Sequence, residues 1–265
     1  MKMAVFYHHV REAARQQEIS ISEMMSRVKK LGIDSIEIDL NDVKDSETLQ
    51  AELQGMKISS VYGFYDWSHR YEEKEVMHHI NIAKSLGADK IMVTPGFYSG
   101  ERNRMKEERD TMIAAMKKAV LLARKYQIMV TIEDFDDKLS PIADAYGMNF
   151  FLEEIPELKV TFDVGNFFYS GETVLEAYTK LGSRVQHVHC KNRSFKKNNG
   201  EEKISALGIP LYPCAVGAGD LPMKQIIHRL QDHGYDGYYV IEHFGVEDYW
   251  QAICDSAKWL SKEIN

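Results

Sequence analysis

Eight short apolar runs, each bounded by turn-forming residues, recur at 3–8, 34–40, 58–64, 90–94, 128–133, 159–164, 185–190 and 238–243. Their starts lie about 24 to 38 residues apart, except for a gap of about 53 before the last. That spacing is the length of one strand plus its crossover helix. The joints between units share a pattern: Gly32-Ile33-Asp34, Gly87-Ala88-Asp89 and Gly234-Tyr235-Asp236 each follow a helix-like stretch and precede a β-branched or aromatic run. Glycine takes the left-handed conformation that closes a helix, aspartate helps the turn, and the run that follows starts a strand. Between the joints, Val76, Ile80 and Ala83, and then Met105, Met112, Met116, Ala119 and Ala123, fall at helical steps. Eight βα units in about 250 residues predict an α/β fold, the (β/α)8 TIM barrel.

The rival built from the same units is an open doubly wound sheet, which normally carries a Gly-rich phosphate turn after its first strand. Here the first run is followed by Val10-Arg11-Glu12 and no such turn. No Pro/Ser/Gly-rich linker divides the chain and a closed barrel needs all eight units, so residues 1–265 are expected to form a single domain. Charge bears on partners: 33 Lys+Arg against 40 Asp+Glu give a formal net charge of -7. A phosphate backbone would be repelled, which argues against a nucleic-acid partner. No apolar stretch approaches the roughly 20 residues a bilayer requires, so no membrane association and a soluble, cytoplasmic protein are expected. Cys190, Cys214 and Cys254 follow no CxxC spacing and are expected to be reduced thiols.

In a barrel the active site lies at the C-terminal ends of the strands, so the polar residue closing each run carries the information. The fifth run ends Thr131-Ile132-Glu133-Asp134, the sixth Phe162-Asp163-Val164-Gly165-Asn166, the seventh His187-Val188-His189-Cys190-Lys191, and the eighth Val240-Ile241-Glu242-His243. Taken singly, each acid reads as a helix cap or loop acceptor. Taken together on consecutive strands, Glu133, Asp163 and Glu242 would repel one another at one mouth unless a cation neutralised them. Three carboxylates and the His189 imidazole make an oxygen-rich site for one divalent metal, Mn²⁺ or Mg²⁺ foremost, with Co²⁺ or Zn²⁺ behind them.

These four runs, with Val216-Gly217-Ala218-Gly219-Asp220, resemble the xylose-isomerase-like barrel superfamily, and the resemblance spans all eight units. Within it the chain is similar to the sugar (phosphate) isomerase/epimerase branch that includes ketose 3-epimerases, hydroxypyruvate isomerases and inosose dehydratases. The resemblance implies one divalent metal on Glu133, Asp163, His189 and Glu242, with Glu133 and Glu242 also moving protons. It implies an isomerase or epimerase of a small keto-sugar or derivative working through a metal-stabilised enediolate, or alternatively a dehydratase using the same chemistry to expel a β-hydroxyl. A non-catalytic sugar-binding barrel is the remaining reading. The superfamily's abasic-site endonucleases add histidine ligands that this chain lacks: Asn166 stands where a histidine often follows the strand-six aspartate.

Further candidates for substrate contact are Lys191, two residues beyond His189, with Asn166, Arg193, Trp67, His69 and Tyr7. Of His8 and His9, at most one can face the mouth, because adjacent strand residues point opposite ways. The connection from about 192 to 219 is long for a βα loop and opens with Arg193, Lys196 and Lys197; it is expected to act as a lid flexing at Gly200, Gly208, Gly217 and Gly219. His78-His79 reads as a helix surface, and Asp134, Asp136 and Asp137 as a solvated turn. Substrate identity, its phosphorylation and any homo-oligomer stay open.

Overall fold

The computed structural model describes residues 2–264. In chain order they form β1 (Lys2–Phe6), α1 (Tyr7–Gln16), α2 (Ile21–Lys30), β2 (Ser35–Asp39), α3 (Ser46–Leu53), β3 (Lys57–Phe64), α4 (Glu73–Ser85), β4 (Lys90–Thr94), α5 (Met105–Lys125) and β5 (Met129–Glu133). There follow α6 (Ala145–Glu154), β6 (Lys159–Asp163), α7 (Val174–Leu181), β7 (Val185–Ser194), β8 (Lys203–Ile204), β9 (Pro210–Cys214), α8 (Met223–Asp232), β10 (Tyr238–Glu242) and α9 (Tyr249–Glu263). β1 to β7 pair in sequence, all parallel, and β10 pairs in parallel with both β7 and β1. The ring is therefore closed, and the fold is the (β/α)8 barrel in one domain.

Each of the eight apolar runs is a barrel strand, and the glycine joints behave as the sequence requires. Gly87 sits at φ +73° and Gly234 at φ +75°, with nothing within 4 Å of where a Cβ would stand. Backbone conformation alone selects glycine at these two positions. At each, the glycine N–H and the next N–H reach back to the helix: Gly87 to Lys84 O and Ala88 to Ala83 O, Gly234 to Gln231 O and Tyr235 to Leu230 O. These are the paired bonds that close a helix end. Helix starts are fixed by side-chain caps, with Ser20, Asp144, Thr173 and Asp248 accepting from the third residue on.

The main core lies between strands and helices, where Val76, Ile80 and Ala83 of α4 and Met112, Met116, Ala119 and Ala123 of α5 are all buried. Met105 departs from that pattern; it opens α5 and is 37% exposed. Inside the barrel the packing is partly polar. Ala4, Phe6, Tyr62, Met92 and Val240 form a small apolar cluster, while Glu37, Thr131, Thr161 and His187 are fully buried. Among the described residues no helix is long and apolar enough to cross a membrane.

The long gap before the last strand holds β8 and β9, which the run count did not contain. β9 pairs antiparallel with the end of β7, and β8 with β9. The expected lid is thus a small sheet extending β7. Its glycines are not open hinges: a Cβ at Gly200 would meet Pro213 at 2.6 Å, at Gly217 the Trp259 ring at 2.3 Å, and at Gly219 Asn192 Oδ1 at 2.3 Å. Glycine is needed there for close approach, and only Gly208 (φ +77°) has free space.

Candidate metal centre

Glu133 is the last residue of β5, Asp163 of β6 and Glu242 of β10, and His189 lies mid-way along β7. One ligand atom from each lies within 4.8 Å of the other three, and all four residues are buried. His189 Nδ1 contacts Glu133 Oε1 and lies 3.1 Å from Glu242 Oε2. Asp163 Oδ1 accepts from Gly165 N at 2.5 Å and Asn166 N at 2.8 Å, which fixes the carboxylate. Its other oxygen, Oδ2, is buried without a hydrogen-bond partner.

As bare carboxylates this group is frustrated. Burial first, and then the charge of Glu242, push the Asp163 carboxyl well above the usual carboxylate range. Burial likewise raises Glu133, against the pull of His189. For His189 burial favours the neutral ring, but Glu133 and Glu37 outweigh it and hold the imidazole well above its ordinary value. Three hard oxygen donors, one imidazole nitrogen and an orphaned buried carboxylate oxygen fit a divalent cation, which would take the charge that His189 otherwise has to balance.

The other nitrogen of His189 shows a residue the sequence reading missed. Glu37 Oε2, on β2, lies 3.2 Å from His189 Nε2 and 2.7 Å from His187 Nε2. Burial works to raise the Glu37 carboxyl, yet the two imidazoles outweigh it and hold it at about 2. A carboxylate beside one ring nitrogen favours the ring orientation and tautomer that present the other to a metal. The signal was a charge set between Ile36 and Ile38, on the strand face opposite to theirs. Glu37→Gln is expected to weaken divalent-metal affinity by about 10- to 100-fold. Calorimetric titration of metal into the metal-free variant measures this, and an unchanged affinity would leave Glu37 as a packing residue.

The centre opens on a cavity of about 600 Å³ whose wall includes Glu133, Glu242, Asn166, Lys191 and Arg193. Lys191 Nζ lies 2.8 Å from Glu242 Oε1. Asn166 Nδ2 donates to Asp134 O at 2.8 Å, tying β6 to the turn after β5. His8 lines the cavity, whereas His9 is fully buried and accepts from His243 N.

Three expected contacts lie elsewhere. Because β1 ends at Phe6, Tyr7 begins α1; its hydroxyl donates to Glu52 at 2.6 Å and does not line the cavity. Trp67 is fully buried, its ring 4.4 Å from that of Tyr65, where it packs the core. His69 is paired with Asp66 and Ser68 in a separate groove outside β3. Two surface assignments also change. His79 is fully buried, bridging Tyr65 Oη and Val61 O. Asp134 and Asp136 are buried, since the turn after β5 folds into the mouth.

The family model for the xylose isomerase-like TIM barrel matches residues 25–263. An inosose dehydratase of Clostridium perfringens (strain 13 / Type A) is 26% identical over 254 residues, covering 85% of this chain and 83% of the relative. The crystal structure of the probable 3-DHS dehydratase AsbF of Bacillus anthracis superposes with a TM-score of 0.76 at 18% identity, covering 98% and 99% of the two chains. The IOLI protein, solved with a bound zinc atom, gives a TM-score of 0.73 at 15% identity, covering 100% of this chain and 98% of that one. With all eight strands in place and the family model matching from α2 to α9, the chain belongs to the xylose isomerase-like TIM barrel family.

Proposed function

We propose that the protein is a divalent-metal-dependent dehydratase of a small polyhydroxylated ketone. It removes the proton from carbon beside the carbonyl and expels the β-hydroxyl as water. The observation that carries this reading is the 2.8 Å ion pair between Lys191 and Glu242. Burial works to raise Glu242, but Lys191 and His189 outweigh it and hold the carboxyl well below the usual range. The ion pair with Lys191 holds this carboxylate in place. Glu133 is in no ion pair with a lysine or arginine among the described residues and lines the cavity, which makes it the carboxylate suited to take a proton and give it back.

One proton carrier is sufficient for elimination. Glu133 takes the C–H proton, the electron pair closes the new C=C bond as the C–O bond breaks, and Glu133 returns the proton to the departing oxygen on the same face. Glu133, Asp163, His189 and Glu242 would hold a divalent cation, which would supply Lewis-acid stabilisation of negative charge on the ketone. Lys191 presents a buried ammonium to an oxygen of the ligand, and Phe6, Tyr62, Phe135 and Phe244 line the cavity with apolar surface that limits water. The curated relatives named as inosose dehydratases support the same reading.

Isomerisation or epimerisation is the second reading, favoured by Glu133 and Glu242 both lining the cavity from strands three apart around the ring, β5 and β10. There a second carboxylate would return the proton to the opposite face, with Glu242 released from Lys191. The two separate in D₂O. Metal-loaded protein incubated with inososes and ketoses is expected to give an unsaturated ketone, seen by its ultraviolet absorbance and by NMR. Carbon-bound deuterium in unreacted or inverted ketone, without loss of water, would favour the isomerase and overturn the dehydratase.

A further inference from the structure

β7 is ten residues long, against five to eight for the other strands of the ring. Its inward positions, two apart, are His187, His189, Lys191 and Arg193, all buried. The ladder runs from the barrel interior through the metal centre to the rim. At the rim it meets Asp136, itself buried, from the turn after β5. Asp136 Oδ2 lies 3.0 Å from Arg193 Nη2 and 3.9 Å from Lys191 Nζ, and Oδ1 lies 2.7 Å from Lys203 Nζ on β8. All four side chains line the cavity.

One carboxylate thus faces three cations. Glu242 pairs with Lys191, so Arg193 and Lys203 share the one carboxylate of Asp136. Glu202 lines the same cavity, but it accepts from the Tyr212 hydroxyl, and no ion pair joins it to Lys203 among the described residues. Arg193 Nε is buried with no hydrogen-bond partner. A buried guanidinium with unused donors is costly unless an anion completes it, and its planar fork suits a carboxylate or phosphate. Fastening the extension of β7 to the barrel would need only one of these cations.

We propose that Arg193 and Lys203, with Lys191 beside them, form an oxyanion subsite, so that the ketone taken by this cavity carries a carboxylate or a phosphate monoester. This rests on the reading above only in placing a polyhydroxylated ketone in the cavity; the order of elimination against isomerisation does not enter.

The test is calorimetric binding to the full, metal-loaded chain of D-fructose, 5-keto-D-gluconate and D-fructose 6-phosphate, which offer neutral, carboxylate and phosphate arms. At least one anion is expected to bind about tenfold or more tightly than D-fructose, the gain from one or two charge-assisted hydrogen bonds. The preferred arm identifies the oxyanion. Arg193→Met and Lys203→Met are each expected to remove most of that preference, and Lys203→Met to leave the affinity for D-fructose within about a factor of two. Lys203 is 37% exposed and tests the point without disturbing the core. Titration with metal alone checks that each variant keeps an intact centre. Anions binding no better than D-fructose, or a preference that survives in both variants, overturns the subsite. Turnover without anion preference would still leave the dehydratase standing, and anion preference without loss of water would remove only the dehydratase.

Discussion

Glu133→Gln is expected to lower kcat by about 10²–10⁴-fold, the range of a lost general acid–base. An amide keeps an oxygen for a cation but cannot take a proton from carbon. Of the three clustered carboxylates, Glu133 is the one that lines the cavity without being paired to Lys191. The measurement pairs kcat with metal content, so that loss of the ion is separated from loss of the base. A variant that retains its metal and works within a factor of a few of the wild type removes Glu133 from the mechanism. Glu242→Gln also frees Lys191 from its ion pair, so the dehydratase reading expects it to raise KM as well as lower kcat.

Chelation is expected to lower the thermal midpoint of the wild type by roughly 5–10 °C, and Asp163→Asn with His189→Ala to abolish that response. A ligand present at about 100 times its Kd stabilises the folded state by about 2.7 kcal/mol, and each kcal/mol shifts Tm by about 2–4 °C in a chain of this size. The repulsion among Glu133, Asp163 and Glu242 works in the same direction, because removing the cation returns three buried carboxylates to one another. Scanning calorimetry with and without chelator, beside metal analysis, reads both effects. If the double variant still binds one equivalent of metal, the centre lies elsewhere in the molecule.

The strand count was legible because each run is local: five to seven residues between turn signals carry their own evidence. The joints were legible only where glycine marked them. The helix ending before β5 closes in the same way, with Gln127 at φ +59° and Ile128 N bonded to Ala123 O, but glutamine in that place carries no sequence signal. β8 and β9 were missed for a related reason. β8 is two residues long and β9 contains two prolines, so neither reads as a strand until the end of β7 supplies its partner.

By itself the sequence determined the barrel and the gathering of Glu133, Asp163, His189 and Glu242, because residues ending parallel strands of one closed sheet must share one rim. Tertiary structure decided what surrounds them. Glu37 meets His187 across 150 residues and Arg193 meets Asp136 across 57. Tyr7, Trp67 and His69, equally close to strand ends in the sequence, turn to the core or to another groove. Strand periodicity fixes only the order and spacing of side chains along one strand. Which buried charges face each other across the barrel depends on strand register and on how far each strand runs past the rim, and both are set by pairing with neighbours remote in the chain.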